Sequence, residues 1–229
     1  MKAALLAAAL LVGTVPSVSA RCMQLELKAQ VLTPSVEVTQ DGGGIVVATT
    51  GTGSADKGEL PASQTSWKLR VGKTISDAVI TTLAPGLVLY GPPPGAKGSG
   101  DLVTSKTKVL ARWRRTNAKR AALDAPAVKA IKHLANLTTR MSQDTLVELD
   151  GKVPATAIAM ILVDSKGTPL TWGVANPGIS AVRVYSHGHC DVSNGTLPPT
   201  VGDAVTLVWV DKAGRLSASS KPTTITAAK

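Results

Sequence analysis

The chain has 229 residues, of which 44% are apolar and 17% are charged, and 25 Lys and Arg against 15 Asp and Glu give a formal charge of +10. This composition excludes a collagen, a coiled coil, a disulfide-dense small protein and a disordered chain. There is no Phe, and only four Trp and two Tyr are present, so Val, Ile, Leu and Ala must build the cores.

Residues 1 to 20 have the pattern of a secretory signal peptide. An apolar run from Ala3 to Val12 follows one lysine, Pro16 breaks it, and small side chains at Val18 and Ala20 precede the expected cleavage site. The apolar run is about half the length that a membrane-spanning helix needs, and no other stretch is long enough to cross a membrane. The sequence therefore predicts a soluble protein that is secreted or periplasmic.

Export determines how the two cysteines are interpreted. An oxidising compartment favours pairing, so Cys22 and Cys190 are expected to form a disulfide, with two free buried thiols as the alternative. Closing so long a loop is worth at most about 5 kcal/mol in the chain-entropy description. A lipid anchor at Cys22 is not expected, because the residue before a lipidated cysteine is normally small and here it is Arg21.

Apolar residues alternate with polar ones in short runs along the first half of the mature chain, and Gly, Pro and Ser separate these runs. This pattern predicts short β-strands joined by tight turns. The strands are expected near Leu25 to Val31, Gly44 to Thr50, Ser66 to Val71, Ala78 to Leu83, Leu87 to Tyr90 and Lys108 to Arg114. Segments 51 to 63 and 91 to 101 are predicted to be loops.

The second half shows the same pattern with clearer turn signals. Strands are expected at Thr145 to Leu149, Ala155 to Asp164, Thr168 to Gly173, Ala181 to Ser186, Ala204 to Asp211 and Leu216 to Thr226. Both faces of the run around Trp209 are largely apolar, which predicts a buried central strand. Residues 125 to 140 fit either a helix with Asp124 as N-cap or a strand that begins after a turn at Asp124 to Pro126. The strand is favoured.

The run AVTLVWVDKAGRLSASSKPTTITA (204 to 227) has an apolar strand that ends in Asp, a D-x-x-G hairpin and a Ser-rich strand after it. It resembles the last two strands of a fibronectin type III or immunoglobulin-like domain. Leu197-Pro198-Pro199 is similar to the L-x-P corner of such domains, as is Leu83-Ala84-Pro85-Gly86, after which Tyr90 is a candidate corner tyrosine. The resemblance implies an all-β fold of two immunoglobulin-like β-sandwich domains, at 21 to 118 and 119 to 229. It also implies a bias toward binding or adhesion, and it carries no catalytic residue.

The sequence contains none of the common enzyme signatures, such as a nucleophile elbow, a phosphate loop or a zinc-protease motif. A non-catalytic protein without a cofactor is expected. The one cluster that suggests metal chemistry is Ser186-His187-Gly188-His189-Cys190. In a strand, His187 and His189 would project to one face and offer two imidazoles to copper or zinc. Two solvated loop histidines beside a disulfide are the simpler interpretation.

Positive charge is concentrated in residues 106 to 133, which hold nine Lys and Arg and one Asp. A basic strip with an aromatic side chain favours binding to an acidic envelope polymer or to another envelope protein. No nucleic-acid fold motif accompanies the charge, so specific nucleic-acid binding is not expected. The alternative is a solvated linker between domains. The candidate polyanion-binding residues are Arg112, Trp113, Arg114, Arg115, Lys119 and Arg120.

These patterns together predict an exported, non-catalytic binding or structural module of the cell envelope. The alternative function is that of a periplasmic copper- or zinc-binding protein that uses His187 and His189.

Overall fold

The structure is a computed structural model that describes residues 28–39, 42–50, 67–92, 96–119, 122–135, 143–187 and 199–228. Within these ranges the helix and strand elements are all β-strands, sixteen in number. Among the described residues, no helix has the length and apolar character that crossing a membrane would require.

Nine strands form two sheets in the first half of the chain. The strands are β1 (Lys28–Val31), β2 (Ser35–Val38), β3 (Ile45–Thr50), β4 (Lys68–Val71), β5 (Thr74–Asp77), β6 (Val79–Ala84), β7 (Leu87–Gly91), β8 (Ser99–Val103) and β9 (Val109–Arg115). One sheet has the order β1-β3-β7-β6 and the other has the order β2-β9-β8-β4-β5. Only β2 and β9 pair in parallel within these described strands. Two such sheets face to face form an immunoglobulin-like sandwich.

Seven strands form a second sandwich. They are β10 (Val128–Ala135), β11 (Gln143–Leu149), β12 (Ala157–Val163), β13 (Pro169–Val174), β14 (Ala181–His187), β15 (Ala204–Asp211) and β16 (Thr223–Ala227). Their hydrogen-bonded order is β13-β12-β15-β16-β10-β11-β14. β15 and β16 share only two register pairs, and β16 then runs parallel to β10, so the sheet folds over at β16. This places β13-β12-β15 opposite β14-β11-β10-β16.

The two sandwiches stack on each other, so that the three sheets, of which the seven-stranded one is folded over, form four layers. The first core lies between the five-stranded and four-stranded sheets and includes Val36, Ile45, Leu69, Tyr90, Leu102 and Trp113. The second core lies between the four-stranded sheet and β12-β15 and includes Val46, Ala48, Leu87, Ile161, Val208 and Val210. The third core fills the second sandwich and includes Ile131, Val147, Leu162, Val182, Trp209 and Ile225. Both middle layers are therefore apolar on both faces.

A tight turn after β15 joins the two sandwiches. The side-chain Oδ1 of Asp211 accepts hydrogen bonds from the backbone N–H groups of Ala213 (2.8 Å) and Arg215 (3.0 Å). Ala213 is fully buried and belongs to the first core. Its carbonyl accepts a hydrogen bond from the backbone N–H of Gly44 at 2.9 Å. We refer to residues 211–215 as the docking turn, because this turn of the second sandwich packs its central residue, Ala213, in the core of the first.

The structure confirms the all-β, immunoglobulin-like fold. It also confirms the strand over part of residues 125–140, which is β10, and the burial of Trp209, which is 2% exposed on a strand paired on both sides. The division at residues 118 and 119 stays a prediction.

Some details of the sequence interpretation are wrong. β2, β5 and β8 were not expected, and β8 begins inside the segment predicted to be a loop at 91 to 101. The strand expected from Leu216 is regular only over Thr223–Ala227, although Leu216 forms an isolated bridge with Val210.

The corner expected at residues 83 to 86 is a hairpin. β6 and β7 are adjacent strands of one sheet, with Ala84 opposite Leu87, so the chain does not cross between sheets at this point. Tyr90 lies in the first core beside Trp67, with ring centroids 5.9 Å apart, and burial raises its pKa to about 12. Residues 197 and 198 of the second expected corner lie outside the described residues.

Candidate functional site

The outer surface of the five-stranded sheet carries most of the ion pairs that the structure shows in the first half of the chain. Period-two alternation along β9 buries Ala111 and Trp113 and exposes Arg112 and Arg114. The same alternation on the neighbouring strands brings further polar side chains to this surface. We refer to the surface as the charged face and define it by Ser35, Glu37, Lys68, Arg70, Asp77, Ser99, Asp101, Arg112 and Arg114.

Strand register arranges the charged face in rows across the sheet. In one row, Arg112 stands opposite Ser35 on one side and Asp101 on the other, and Asp101 stands opposite Arg70. In the next row, Arg114 lies between Glu37 and Ser99. Neighbouring strands are about 4.8 Å apart, so each arginine has an acidic side chain within reach on an adjacent strand.

The distances show which of these charges pair. Arg114 Nη2 donates to Glu37 Oε1 at 2.7 Å, and Arg70 Nη2 donates to Asp101 Oδ2 at 2.6 Å. Arg112 Nε lies 3.6 Å from Asp101 Oδ1, which is beyond normal hydrogen-bond distance, and the Arg112 side chain is 76% exposed. Lys68 also pairs with Asp77 at the far side of the sheet.

A shallow depression of about 650 Å³ lies in the charged face. Long side chains at its margin are Glu37, Arg70, Arg112 and Arg114, and short residues that also line it are Ser35, Gly72 and Ser99. The alternation of long charged residues with short polar ones creates the depression. It offers guanidinium donors, carboxylate acceptors and hydroxyl groups within one concave surface.

The structure separates the six residues predicted to bind a polyanion. Arg112 and Arg114 lie on the charged face, but Trp113 points into the first core and is 2% exposed, so it is not placed to stack on a ligand at the surface. Arg115 ends β9 half-buried, and Lys119 is exposed beyond the strand. Arg120 lies outside the described residues. Arg70 and the three carboxylates of the charged face are not among the predicted residues, because strand register brings them together from distant segments of the sequence.

The predicted metal site falls largely outside the described residues. His187 is the last residue of β14, where its backbone stands opposite Gln143, and His189 lies beyond the described range. Among the described residues, no three His, Cys, Asp or Glu side chains group closely enough to hold a metal ion. His133 Nδ1 lies 2.9 Å from Thr145 Oγ1, and burial lowers the pKa of this imidazole although nearby Asp144 opposes the shift. Metal binding by His187 and His189 stays a prediction.

Cys22 and Cys190 both lie outside the described residues, and their disulfide also stays a prediction. Peptide mapping without reduction is expected to recover one cross-linked pair. Cys190→Ser is expected to lower the free energy of unfolding by a few kcal/mol, less than the chain-entropy value of about 5 kcal/mol, because structure in the unfolded chain reduces the effect. Labelling of two thiols in the denatured, unreduced protein would contradict the bond.

Comparison with known proteins gives only distant similarity. No protein-family model matches the chain, and no curated protein matches its sequence. Solved structures with some similarity include a BSP domain of a biofilm associated protein (TM-score 0.28, 13% identity, 89% of this chain and 30% of that one). Others are the FN1-FN3 domains of chicken CNTN1 (TM-score 0.28, 11% identity, 90% of this chain and 66% of that one) and dimeric latent PorU from Porphyromonas gingivalis (TM-score 0.22, 9% identity, 94% and 21%). The chain therefore spans less than two thirds of each of these proteins.

Proposed function

We propose that this protein is an exported, non-catalytic binding module of the cell envelope, and that it engages its partner through the charged face. The observation that carries this proposal is the depression itself. Guanidinium and carboxylate groups from four strands line this one concavity, whose volume is about 650 Å³. The signal-peptide pattern of residues 1 to 20 supports export.

The packing beneath the charged face supports a binding role. β9 and β8 are interior strands of their sheet, and buried Leu69, Leu102 and Trp113 hold this sheet on the first core. Ion pairs across neighbouring strands then restrict the side chains of Arg70 and Arg114. A rigid surface loses less conformational entropy when a partner binds, which favours affinity.

The experiment that tests this proposal blocks the depression without changing its charge. Ser99 is exposed and lines the depression. Ser99→Trp is expected to reduce the retention of labelled protein on cell-envelope material from the producing organism by about tenfold or more. Loss of one central contact of an interface commonly has an effect of this size. Retention is measured by co-sedimentation.

The matched control is Ser180→Trp, which places the same bulky group at an exposed position on the second sandwich. It is expected to leave retention unchanged. Both variants should unfold at the temperature of the parent protein, because exposed substitutions have small effects on stability. Equal retention of the two variants would contradict the proposed function.

A further inference from the structure

The charge balance of the charged face restricts the class of ligand that it suits. Four cations, Lys68, Arg70, Arg112 and Arg114, lie among three carboxylates, Glu37, Asp77 and Asp101. Counterion release favours dense polyanions in proportion to the number of polymer charges that the protein's cations neutralise, and nearby carboxylates compete for those cations. The face is close to neutral, so it suits a ligand whose anionic groups are separated by neutral polar groups.

Arg112 and Arg114 provide the donors that separate carboxylates require. Their side chains are 76% and 69% exposed, and they lie two residues apart on β9, about 7 Å along the strand. A guanidinium carries five N–H donors in a planar fork that matches a carboxylate. Glu37 takes a hydrogen bond from Nη2 of Arg114, whereas Arg112 Nε stands 3.6 Å from Asp101.

The short residues of the depression provide room for neutral groups. Ser35 stands opposite Arg112 and Ser99 stands opposite Arg114, so a hydroxyl lies beside each arginine. Carboxylate oxygens of Glu37 and Asp101 add acceptors for ligand hydroxyl groups. A volume of about 650 Å³ falls within the range of small-ligand sites. A partner protein with a flat surface would leave this depression unfilled, whereas a polysaccharide chain is narrow enough to enter it.

We propose that the charged face binds an acidic polysaccharide in which neutral sugars or neutralised groups separate the carboxylates, as in a uronate-containing chain. The inference rests on the proposed function and names the ligand class for the same surface. Carboxylates of the polymer pair with Arg112 and Arg114, and its hydroxyl groups donate to Glu37 and Asp101. The site recognises spacing and hydrogen-bonding groups rather than charge density.

The test is calorimetric titration of the full chain with two probes, hyaluronan oligosaccharides and partly methyl-esterified polygalacturonate. Neutral dextran and dextran sulfate are the comparison polymers. We expect both uronate probes to bind and neutral dextran not to bind. Dextran sulfate is expected to bind through charge anywhere on this +10 chain and to lose little affinity in Arg112→Gln. Arg112→Gln and Arg114→Gln are each expected to weaken uronate binding by about tenfold or more, because each removes charge-assisted hydrogen bonds.

Arg183→Gln is the matched control for these variants. Arg183 is 63% exposed on β14, and its Nε lies 3.9 Å from Asp144 Oδ1, so the substitution removes the same charge from a similar strand position on the other sandwich. Its affinity for the uronate probes is expected to equal that of the parent. Arg112→Lys keeps the charge but loses the planar fork, and it is expected to weaken binding nearly as much as Arg112→Gln.

Two results would overturn the polysaccharide proposal. If Arg112→Lys binds the uronate probes as tightly as the parent, and Arg112→Gln weakens dextran sulfate as much as the uronate probes, the surface responds only to charge. If neither uronate probe binds while Ser99→Trp still lowers retention on envelope material, the proposed function stands and the ligand belongs to another class, such as a protein. If neither uronate probe binds and Ser99→Trp also leaves retention unchanged, the proposed function is rejected as well.

Discussion

Trp209→Ala is expected to lower the free energy of unfolding by about 3 to 5 kcal/mol, the range found when a large buried aromatic side chain is removed. Trp209 is 2% exposed in the third core and lies on β15, which pairs with β12 and β16. The cavity that the substitution leaves lies between the two packed layers of the second sandwich, which cannot collapse far without losing strand register. Urea unfolding monitored by far-ultraviolet circular dichroism measures the change without depending on tryptophan emission.

Leu216→Ala is the control for the Trp209 experiment, because Leu216 follows the same strand but is 51% exposed. Its effect is expected to stay within about 0.5 kcal/mol of zero. A change below about 1 kcal/mol for Trp209→Ala would mean that the third core does not close around this residue.

Gly214→Ala is expected to lower the free energy of unfolding by about 2 to 3 kcal/mol, through two separate costs. Gly214 has φ +76°, and a side chain in the left-handed region costs about 1 to 2 kcal/mol. A Cβ atom at this position would overlap Cδ1 of Leu89 and lie 3.1 Å from Cγ2 of Val46, both on the four-stranded sheet. Leu89 is half-buried and its Cδ1 can rotate away, so the overpacking adds about 1 kcal/mol, the low end of the usual range.

The chain contains a natural control for the Gly214 experiment. Residues 164–167 form a second D-x-x-G turn, in which Asp164 Oδ1 accepts from the backbone N–H groups of Lys166 and Thr168, as Asp211 does in the docking turn. Gly167 has φ +85°, but no atom lies within 4 Å of a Cβ added there. Gly167→Ala should therefore show the backbone cost alone. Equal losses for the two variants, measured by urea unfolding, would show that Gly214 is not packed against Leu89 and Val46 of the four-stranded sheet.

The sequence pattern predicted the second sandwich better than the first, for a physical reason. Ala204–Asp211 is a long, strongly apolar strand, and such strands give a clear local signal. β2 and β5 contain four residues each, and β8 begins with Ser-Gly-Asp, which is typical of turns. Strands of this kind form because neighbouring strands pair with them and cover one face.

The candidate site depended on pairing that no local pattern contains. Arg114 and Glu37 are 77 residues apart, and Arg70 and Asp101 are 31 residues apart, yet strand register places each pair in contact. One part of the site was accessible from the sequence. Strict alternation along β9 puts Trp113 on the face opposite to Arg112 and Arg114, so strand geometry alone argues against the prediction that all three bind one ligand.

The stacking of the two sandwiches bears on how such a chain can evolve. Tandem domains on flexible linkers can be duplicated, exchanged or lost singly, because each keeps its own closed surface. Here the second core contains Val46 and Leu87 from the first sandwich and Ile161 and Val208 from the second. A gene carrying either half alone would encode a protein with an open apolar face, and such faces promote aggregation. The pair is therefore expected to be inherited, and to change its sequence, as a single unit.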